Sequence, residues 1–153
     1  MRPDRFMHTI LVVMKGEMTS ASDELDILRS VEAFDEAWAR GDYDAVANLC
    51  TDDFTFIGSG EGEESEGPAA TGPTMRAVLD GVGRHMVSWS LEFAEPYRVT
   101  IHGDTAIVAR VGESELVMPG SRRRSRYRVT GVLRRTPDGW RWWLYHGSEA
   151  QGW

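Results

Sequence analysis

Residues 126–148 read RYRVTGVLRRTPDGWRWWLYHGS, which predicts a strand, a tight turn and a returning strand. Proline presets φ for the first turn position and glycine accepts a positive φ, so Pro-Asp-Gly at 137–139 is typical of a hairpin turn. Because this hairpin ends the chain and carries its densest aromatic run, we expect the rest of the fold to be organised around it.

The returning strand is apolar on both of its faces. Side chains alternate across a strand, which predicts Trp140, Trp142 and Leu144 on one face and Trp143 and Tyr145 on the other. An antiparallel strand with water on one side should instead alternate apolar and polar residues. We therefore expect this strand to be covered twice, by helices of its own chain and by another chain.

Composition limits the class of protein. The chain has 153 residues, 41% of them hydrophobic and 27% charged, which is ordinary for a single globular domain. A formal net charge of −7 argues against a general binder of nucleic acid or anionic membranes. No apolar run approaches the roughly 18 residues of a membrane span. The single cysteine, Cys50, excludes an internal disulfide and favours a reducing, cytoplasmic location.

Residues 1–18 are interpreted as an N-terminal extension before a domain at residues 19–153. Residues 6–14 are apolar and follow two arginines, which resembles a signal peptide, but a small-residue cleavage site is missing. An added edge strand is the favoured interpretation. A third alternative is that translation starts at Met18, because Lys-Gly-Glu just before it is what a purine-rich ribosome-binding site encodes.

Two helices are predicted after the extension. Apolar residues recur at three- and four-residue spacing from Leu25 to Trp38, which indicates one long amphipathic helix that ends before Gly41. Asp42 is a suitable N-cap for a second, shorter helix. A first sheet strand should then begin at Phe54.

Residues 58–72 are rich in glycine and glutamate and are interpreted as a long, solvated loop. The spacing of the glutamates matches no calcium loop. Loops of this length are often lids, so this one is a candidate cover for a pocket mouth. Pro73 should open a third helix that extends to about Arg84.

The second half of the chain predicts an antiparallel meander. Alternating segments at 87–93, 97–101 and 105–117 are separated by Pro, Gly and Asp and precede the final hairpin. Because helices come first and strands follow with short connections, the fold class is α+β rather than alternating α/β. No glycine-rich phosphate loop follows a strand.

Five motifs occur in a fixed order. They are Arg-Gly-Asp-Tyr-Asp-Ala at 40–45, Leu-Cys-Thr-Asp-Asp-Phe-Thr-Phe at 49–56, His-Gly-Asp-Thr-Ala at 102–106, Leu-Arg-Arg…Asp-Gly-Trp at 133–140 and His-Gly-Ser at 146–148. In this order they resemble the NTF2-like superfamily, especially SnoaL-like proteins and the calcium/calmodulin-dependent kinase association domain. The resemblance extends from residue 23 to the end.

This resemblance implies a ketosteroid-isomerase-like cone. A curved antiparallel sheet would wrap around the long N-terminal helix, with two shorter helices and a pocket between them, and a homodimer would form through the convex sheet face. Members include isomerases, dehydratases, cyclases and non-catalytic ligand-binding or assembly domains, so the fold does not fix the function.

An aromatic set is expected to line the pocket. Core packing is the alternative for each member, but as a group they predict a largely apolar cavity for a flat or hydrophobic ligand. The set is Trp38, Phe56, Trp89, Trp143 and Tyr145.

Resemblance to the association domain implies a face for each residue of the last strand. It places Trp143, Tyr145 and Gly147 towards the pocket, and Trp142, Leu144 and His146 towards the partner. Gly147 stands where that branch has an arginine used for carboxylate ligands.

Arginines 122–124, 126 and 128 form the basic cluster of the sequence. A nucleic-acid interpretation conflicts with the acidic chain, and a solvated strand beside the acidic loop is the plain alternative. By the same resemblance, Arg124, Arg126, Arg128 and Thr130 share the concave face, where Arg128 would hold a carboxylate, enolate or phenolate. A buried Arg128 would then need Glu113, Glu115 or a ligand as its partner.

Histidines give weaker candidates. His85 would be a general base or a helix-end cap, and His146 an interface or structural residue. No pair of histidines stands at metal-ligand spacing, so we expect no metal and no cofactor.

Two functional hypotheses follow. The first is a cofactor-independent enzyme of isomerase, dehydratase or cyclase type acting on a small, largely apolar ligand; Arg128 and Tyr145 would stabilise an oxyanion, and Glu113 or His85 would move the proton. The second is a non-catalytic module that binds a ligand or only dimerises. The expected partners are a small molecule and a second copy of the chain, with no nucleic acid and no membrane.

Overall fold

A computed structural model describes residues 11–12, 21–82, 85–93 and 96–150. Within these ranges the α+β class, with a curved sheet around one long helix, is confirmed. The elements are β1 (Leu11–Val12), α1 (Ala21–Arg40), α2 (Tyr43–Asn48), β2 (Cys50–Ile57), β3 (Glu64–Glu66), α3 (Pro68–Val82), β4 (Ser88–Glu92), β5 (Arg98–His102), β6 (Thr105–Met118), β7 (Ser121–Thr136) and β8 (Gly139–Glu149).

A single sheet joins these strands in the order β1-β5-β6-β7-β8-β2-β3, and β4 pairs with the second half of β6. The meander from β4 to β8 is antiparallel, as predicted, whereas β2 runs parallel to β8 and β1 runs parallel to β5. Because β2 pairs with β8, β8 lies inside the sheet with β7 on one side and β2 on the other. The sheet therefore extends around α1 on both sides of β8.

The first two helices begin and end where local sequence predicts. Asp23 and Glu24 lie in the first turn of α1 and Arg40 in its last, which suits the helix dipole. Gly41 ends the helix with φ of 65°. The Asp42 carboxylate then accepts a hydrogen bond from Ala45 N at 3.1 Å and caps α2.

The hydrophobic core lies between α1 and the inner face of the sheet, which is the face turned towards α1. Trp142 is fully buried at its centre and stacks on Phe34, with ring centroids 4.2 Å apart. A Cβ added at Gly131 would overlap the Trp142 ring, so glycine makes room for it. Other fully buried members are Ile27, Val31, Val46, Phe54, Val99, Val108, Leu133 and Val129.

An extra residue in β8 changes the expected alternation of its side chains. The ladder pairs Leu133 with Trp142 and Val132 with Leu144, so Trp143 falls between two pairs as a β-bulge. A bulge shifts the alternation by one residue. Trp143 is therefore 37% exposed on the outer face, next to Leu144, while Trp142 is buried on the inner face.

Both expectations for the faces of β8 need correction for this reason. Alternation predicted that Leu144 shares a face with Trp140 and Trp142, and that Tyr145 shares a face with Trp143. The resemblance predicted Trp143 on the inner face and Trp142 on the outer face. These assignments are wrong. Tyr145 and Gly147 inside, and His146 exposed outside, agree with the resemblance. The inner set is Trp140, Trp142, Tyr145 and Gly147, and the outer set is Trp143, Leu144 and His146.

The predicted long loop at 58–72 is largely structured. Strand β3 pairs with β2, and α3 begins at Pro68, five residues before Pro73. The prediction that Pro73 opens this helix is wrong, since Pro73 lies inside it. The predicted end of the helix near Arg84 lies outside the described residues.

Strand β1 lies at the edge of the sheet beside β5, in the segment where an added edge strand is expected. The remaining residues of the N-terminal extension lie outside the described ranges. None of the helices among the described residues is both long and apolar enough to cross a membrane.

Candidate functional site

A buried arginine lies on the inner face of the sheet beside a carboxylate from α1. Arg110 lies on the same face of β6 as the core residues Ala106 and Val108 and is 5% exposed. Its Nη2 donates to Asp35 Oδ2 at 2.6 Å, and the Tyr97 hydroxyl donates to Asp35 Oδ1 at 3.1 Å. The Asp35 side chain remains 34% exposed. The carboxylate is thus oriented by two donors and still accessible.

Two aromatic rings hold the Arg110 guanidinium in place. Its Cζ lies 3.1 Å from the centroid of Phe93 and 4.0 Å from that of Tyr97. Arginine combines such stacking with hydrogen bonding because its charged group is planar. Its Nε has no hydrogen-bond partner among the described residues. The ion pair with Asp35 is therefore the principal compensation for a charge that is costly to bury.

Asp35, Arg110 and Tyr97 form a polar strip, and Tyr145 of β8 adds a further polar group to it. Its ring stacks on Phe56, with centroids 5.4 Å apart, and packs 5.7 Å from Phe34. Burial raises the pKa of Tyr145 well above its usual range, and the neighbouring Tyr127 and Tyr97 act in the same direction. Tyr145 is consequently a neutral hydroxyl, able to donate a hydrogen bond, at physiological pH.

Tyr127 lies beside Tyr145. Burial raises the pKa of Tyr127, although hydrogen bonds with Ser59 and Tyr145 oppose the shift. Its hydroxyl fills the space next to Gly147, where an added Cβ would overlap it. Ser59 belongs to the turn between β2 and β3, so this turn lies against the inner tyrosines.

Tyr97 also remains protonated. Burial raises its pKa well above the usual range, and the charge of Asp35 adds to the effect. Tyr97 thus supplies a neutral hydroxyl to the ion pair, and Tyr127 and Tyr145 supply two more on the same inner face of the sheet.

Three of the aromatic residues predicted for the pocket come together here. Trp38 stacks on Phe56 at 5.2 Å and on Tyr145 at 6.2 Å between centroids. The Nε1 of Trp38 is buried and has no hydrogen-bond partner among the residues described. The stacked rings form an aromatic wall beside the polar strip.

Two other predicted pocket residues lie elsewhere. Trp89 is on the inner side of β4, 6.2 Å from the Tyr127 ring, and is 45% exposed. Trp143 is on the outer face, where its Nε1 donates to Asp53 at 3.1 Å and Arg134 lies over its ring. Trp89 is thus at the margin of the site, and Trp143 is outside it.

The arginine row of β7 faces away from the site. Arg128 is exposed and alternates with the buried Tyr127 and Val129. The expectation that this row lies on the concave face is wrong, because β7 buries the opposite set of side chains. The exposed row is Arg124, Arg126, Arg128 and Thr130.

The predicted proton-transfer candidates are exposed side chains. Glu113 is exposed and lies opposite Arg126 in the β6–β7 ladder. Glu113 therefore lies on the outer face of the sheet, the side turned away from α1. Its neighbour Glu115 accepts from Arg124 Nε at 2.8 Å. His85 is exposed beyond α3.

Sequence reasoning missed Asp35, Arg110, Tyr97 and Phe93. The alternation of side chains in β6 could have identified Arg110. It is a charged residue on the same inward face as the apolar residues Ala106 and Val108. Asp35 follows the core residue Phe34 on α1. Helical spacing alone does not show whether the Asp35 side chain points towards the sheet or towards solvent. The pairing of the two depends on how the sheet wraps around the helix.

Other polar features of the described residues are unsuited to chemistry. Cys50 donates to Val46 O at 3.1 Å, and burial raises the pKa of its thiol to about 12. No group of three or more metal-ligating side chains occurs in the described ranges. An open groove of about 480 Å³ between the β2–β3 turn and α3 shares no residue with the Asp35 cluster.

Comparison with known proteins agrees with this architecture. A family model for the SnoaL-like domain matches residues 27–151. A search among curated proteins finds no significant match. Solved structures from three bacteria are similar in fold at low sequence identity.

The first is a protein from Streptomyces avermitilis proposed to be a dehydratase of the NTF2-like family, with a TM-score of 0.67, 20% identity, and coverage of 87% of this chain and 100% of that chain. The second is a ketosteroid isomerase-like protein from Erwinia carotovora atroseptica, with a TM-score of 0.64, 22% identity, and coverage of 87% and 100%. The third, from Exiguobacterium sibiricum, is proposed to be a calcium/calmodulin-dependent kinase II association domain, with a TM-score of 0.60, 19% identity, and coverage of 90% and 100%.

Proposed function

This chain belongs to the SnoaL-like domain family, as its sequence motifs predict, and from that premise we propose a cofactor-independent acid–base enzyme of the cytoplasm. Its reaction would be of the isomerase, dehydratase or cyclase type, on a small, largely apolar molecule that carries a carbonyl group. The observation that supports it is the carboxylate of Asp35, which is oriented by Arg110 and Tyr97 and remains partly accessible.

The proposed chemistry is proton abstraction next to the carbonyl. The Asp35 carboxylate takes a proton from the ligand carbon next to the carbonyl group. The electrons of the broken C–H bond form a C=C bond, and the electrons of the C=O π bond move to the carbonyl oxygen. The protonated hydroxyl of Tyr145 donates a hydrogen bond to this oxyanion. Return of the proton from Asp35 to a carbon completes the cycle without an oxidant, reductant or metal. In this proposal the roles predicted for Arg128, Glu113 and His85 pass to Asp35 on α1 and to Tyr145 on the inner face of the sheet.

A general test is hydrogen–deuterium exchange of the acetyl protons of 2-acetylnaphthalene in D2O, followed by ¹H NMR. The wild-type protein should accelerate this exchange, and Asp35→Asn should lower the protein-dependent rate by about 100-fold or more, because an amide cannot act as the base.

Glu36→Gln is the matched control. It makes the same chemical change one residue along α1, at a side chain that is 73% exposed, and it should exchange at the wild-type rate. If Asp35→Asn exchanges as fast as the wild-type protein, the proposed role of Asp35 is wrong. Absence of wild-type exchange despite binding of the ketone would refute the proposed enzyme.

A non-catalytic ligand-binding or assembly module is the second candidate. It is favoured by the mutual stacking of Trp38, Phe56 and Tyr145, which fills space between α1 and the sheet with side chains of the protein itself. In this case the Asp35–Arg110 pair would serve only to position α1 on the sheet.

We also propose a homodimer through the convex, outer face of the sheet. Ile107, Val132 and Leu144 lie opposite one another across β6, β7 and β8, and Trp143 continues this row. Ile107 is 44% exposed and Trp143 37% exposed. Apolar rows on a sheet face are typical of interfaces.

Ile107→Lys should convert the dimer to a monomer in sedimentation velocity, because it places a charge at the centre of the proposed contact. Leu25→Lys is the control, since Leu25 is 48% exposed but lies on α1 rather than on the sheet. A wild-type monomer, or a dimer that survives Ile107→Lys but not Leu25→Lys, would contradict the proposed interface.

A further inference from the structure

One edge of the sheet is covered by a further strand over only part of its length. Strands β4 and β5 both run antiparallel to β6 on the side away from β7, β5 along its first half and β4 along its second. β1 pairs with the free edge of β5. In the described ranges no strand pairs with the free edge of β4 (Ser88–Glu92). The backbone N–H and C=O groups along that edge are therefore available to another strand.

β4 has few of the features that protect an uncovered edge strand. Prolines and charged side chains usually do so, but β4 contains no proline and a single charged residue, Glu92. Its inner side carries Trp89, which is 45% exposed, and the half-buried Leu91. On its outer side Glu92 lies opposite Glu113, and like charges in this position repel. A suitable covering segment would bring an apolar side chain to the inner side and a cation to the outer side.

The pairing of β1 points the start of the chain towards this edge. Leu11 is level with Arg98 in a parallel pair, so a strand continued backwards from Leu11 runs towards β4. Along β6, Arg98 is level with Ala109 and the start of β4 with Val117. These two levels are about 27 Å apart at 3.4 Å per residue. Residues 1–10 span up to about 33 Å when extended, which is enough to reach the far end of β4.

We propose that residues 3–10 continue β1 as an edge strand that covers β4, so that the chain's own N-terminal segment is the partner of this surface. Val12 is in register with Val99, whose side chain is buried on the inner face. Side chains alternate across a strand, which places Phe6 on the inner face and Arg5 on the outer face.

The residues of this segment match the surface that they would cover. Phe6 is level with the middle of β4, where its ring covers the exposed part of Trp89 on the inner side. Arg5 brings a cation within reach of Glu92 on the outer side, and opposite charges on neighbouring strands stabilise a sheet. Pro3 has no backbone N–H, which suits the far end of an edge strand.

Hydrogen–deuterium exchange with mass spectrometry of peptides containing β4 tests the pairing in the full 153-residue chain. The β4 amides that point away from β6 should exchange about tenfold or more slowly than in a variant that lacks residues 1–10, because hydrogen bonding to the added strand protects them. The amides of β8, inside the sheet, are the internal reference and should exchange equally in both proteins.

Two lysine substitutions at neighbouring positions test which face each residue occupies. Phe6→Lys removes the apolar cover from Trp89 and should raise the exchange rate of the β4 amides to that of the truncated variant. Met7→Lys introduces the same residue one position later, on the outer face, where its charge would lie near Glu92. It should retain the protection of the wild-type chain.

Protection that is independent of protein concentration and is lost with Phe6→Lys but not with Met7→Lys supports the proposal. If the β4 amides exchange equally fast with and without residues 1–10, the proposal is overturned. Equal effects of the two lysine substitutions would overturn the proposed register. If tenfold dilution removes the protection, a second copy of the chain covers β4, and the proposed pairing within one chain is wrong.

Discussion

Replacing Trp142 with alanine should lower the free energy of unfolding by about 3–5 kcal/mol, the usual cost of deleting a large buried aromatic side chain. Trp142 is fully buried, stacks on Phe34 and covers Gly131. Since Gly131 has no side chain that could move into the space, the cavity should persist. Urea denaturation followed by far-UV circular dichroism measures the change.

Trp143→Ala is an unusually close control for this experiment. It removes the same side chain one residue later, but on the outer face, where Trp143 is 37% exposed. We expect a loss of about 1 kcal/mol or less, as for other partly exposed positions. Both variants should be compared at concentrations where sedimentation shows monomers. Equal losses at the two positions would show that the bulge does not separate the two tryptophans.

The second large effect concerns the Asp35–Arg110 pair. Asp35→Asn should destabilise the protein by about 3 kcal/mol, because it leaves a buried guanidinium without its counter-charge. The side chain of Arg110 is only 4% exposed, whereas that of Asp35 is 34% exposed. Arg110→Met should therefore cost less, about 1 kcal/mol, since water and Tyr97 can still solvate the carboxylate.

The double variant distinguishes this account from simple loss of contacts. When both charges are removed, no buried charge remains unpaired, so the double variant should be more stable than Asp35→Asn alone. The measurement is a double-mutant cycle from urea denaturation, with Glu36→Gln as the neutral reference. Additive losses from the two single variants would mean that the ion pair is energetically unimportant.

Local patterns were sufficient for most of the secondary structure. The three- and four-residue spacing from Leu25 to Trp38 corresponds to α1, and Asp42 caps α2 as predicted. The final hairpin turns at Pro-Asp-Gly as expected. These features depend on neighbours within a few residues, which is why they can be read from the sequence. Three expectations were wrong: β2 begins at Cys50 rather than Phe54, the expected loop contains β3, and Pro73 lies inside α3 instead of opening it.

Orientation within the strands was harder to predict. A single bulged residue, Trp143, reverses the alternation that follows it, and composition carries no sign of it because the neighbouring residues are apolar as well. In β7 the resemblance assigned Arg128 to the concave face, whereas Tyr127 and Val129 occupy that face. Both errors arise because strand register is set by pairing with distant segments.

The sequence by itself determined the fold class, the two first helices with their caps, the closing hairpin and the aromatic character of the interior. Periodicity and turn chemistry are local properties, so they do not need the rest of the chain. Only the tertiary structure decided which charges meet inside. Asp35 and Arg110 are 75 residues apart in the chain, and their contact follows from the curvature of the sheet around α1, which places a helix carboxylate over an inward-facing arginine.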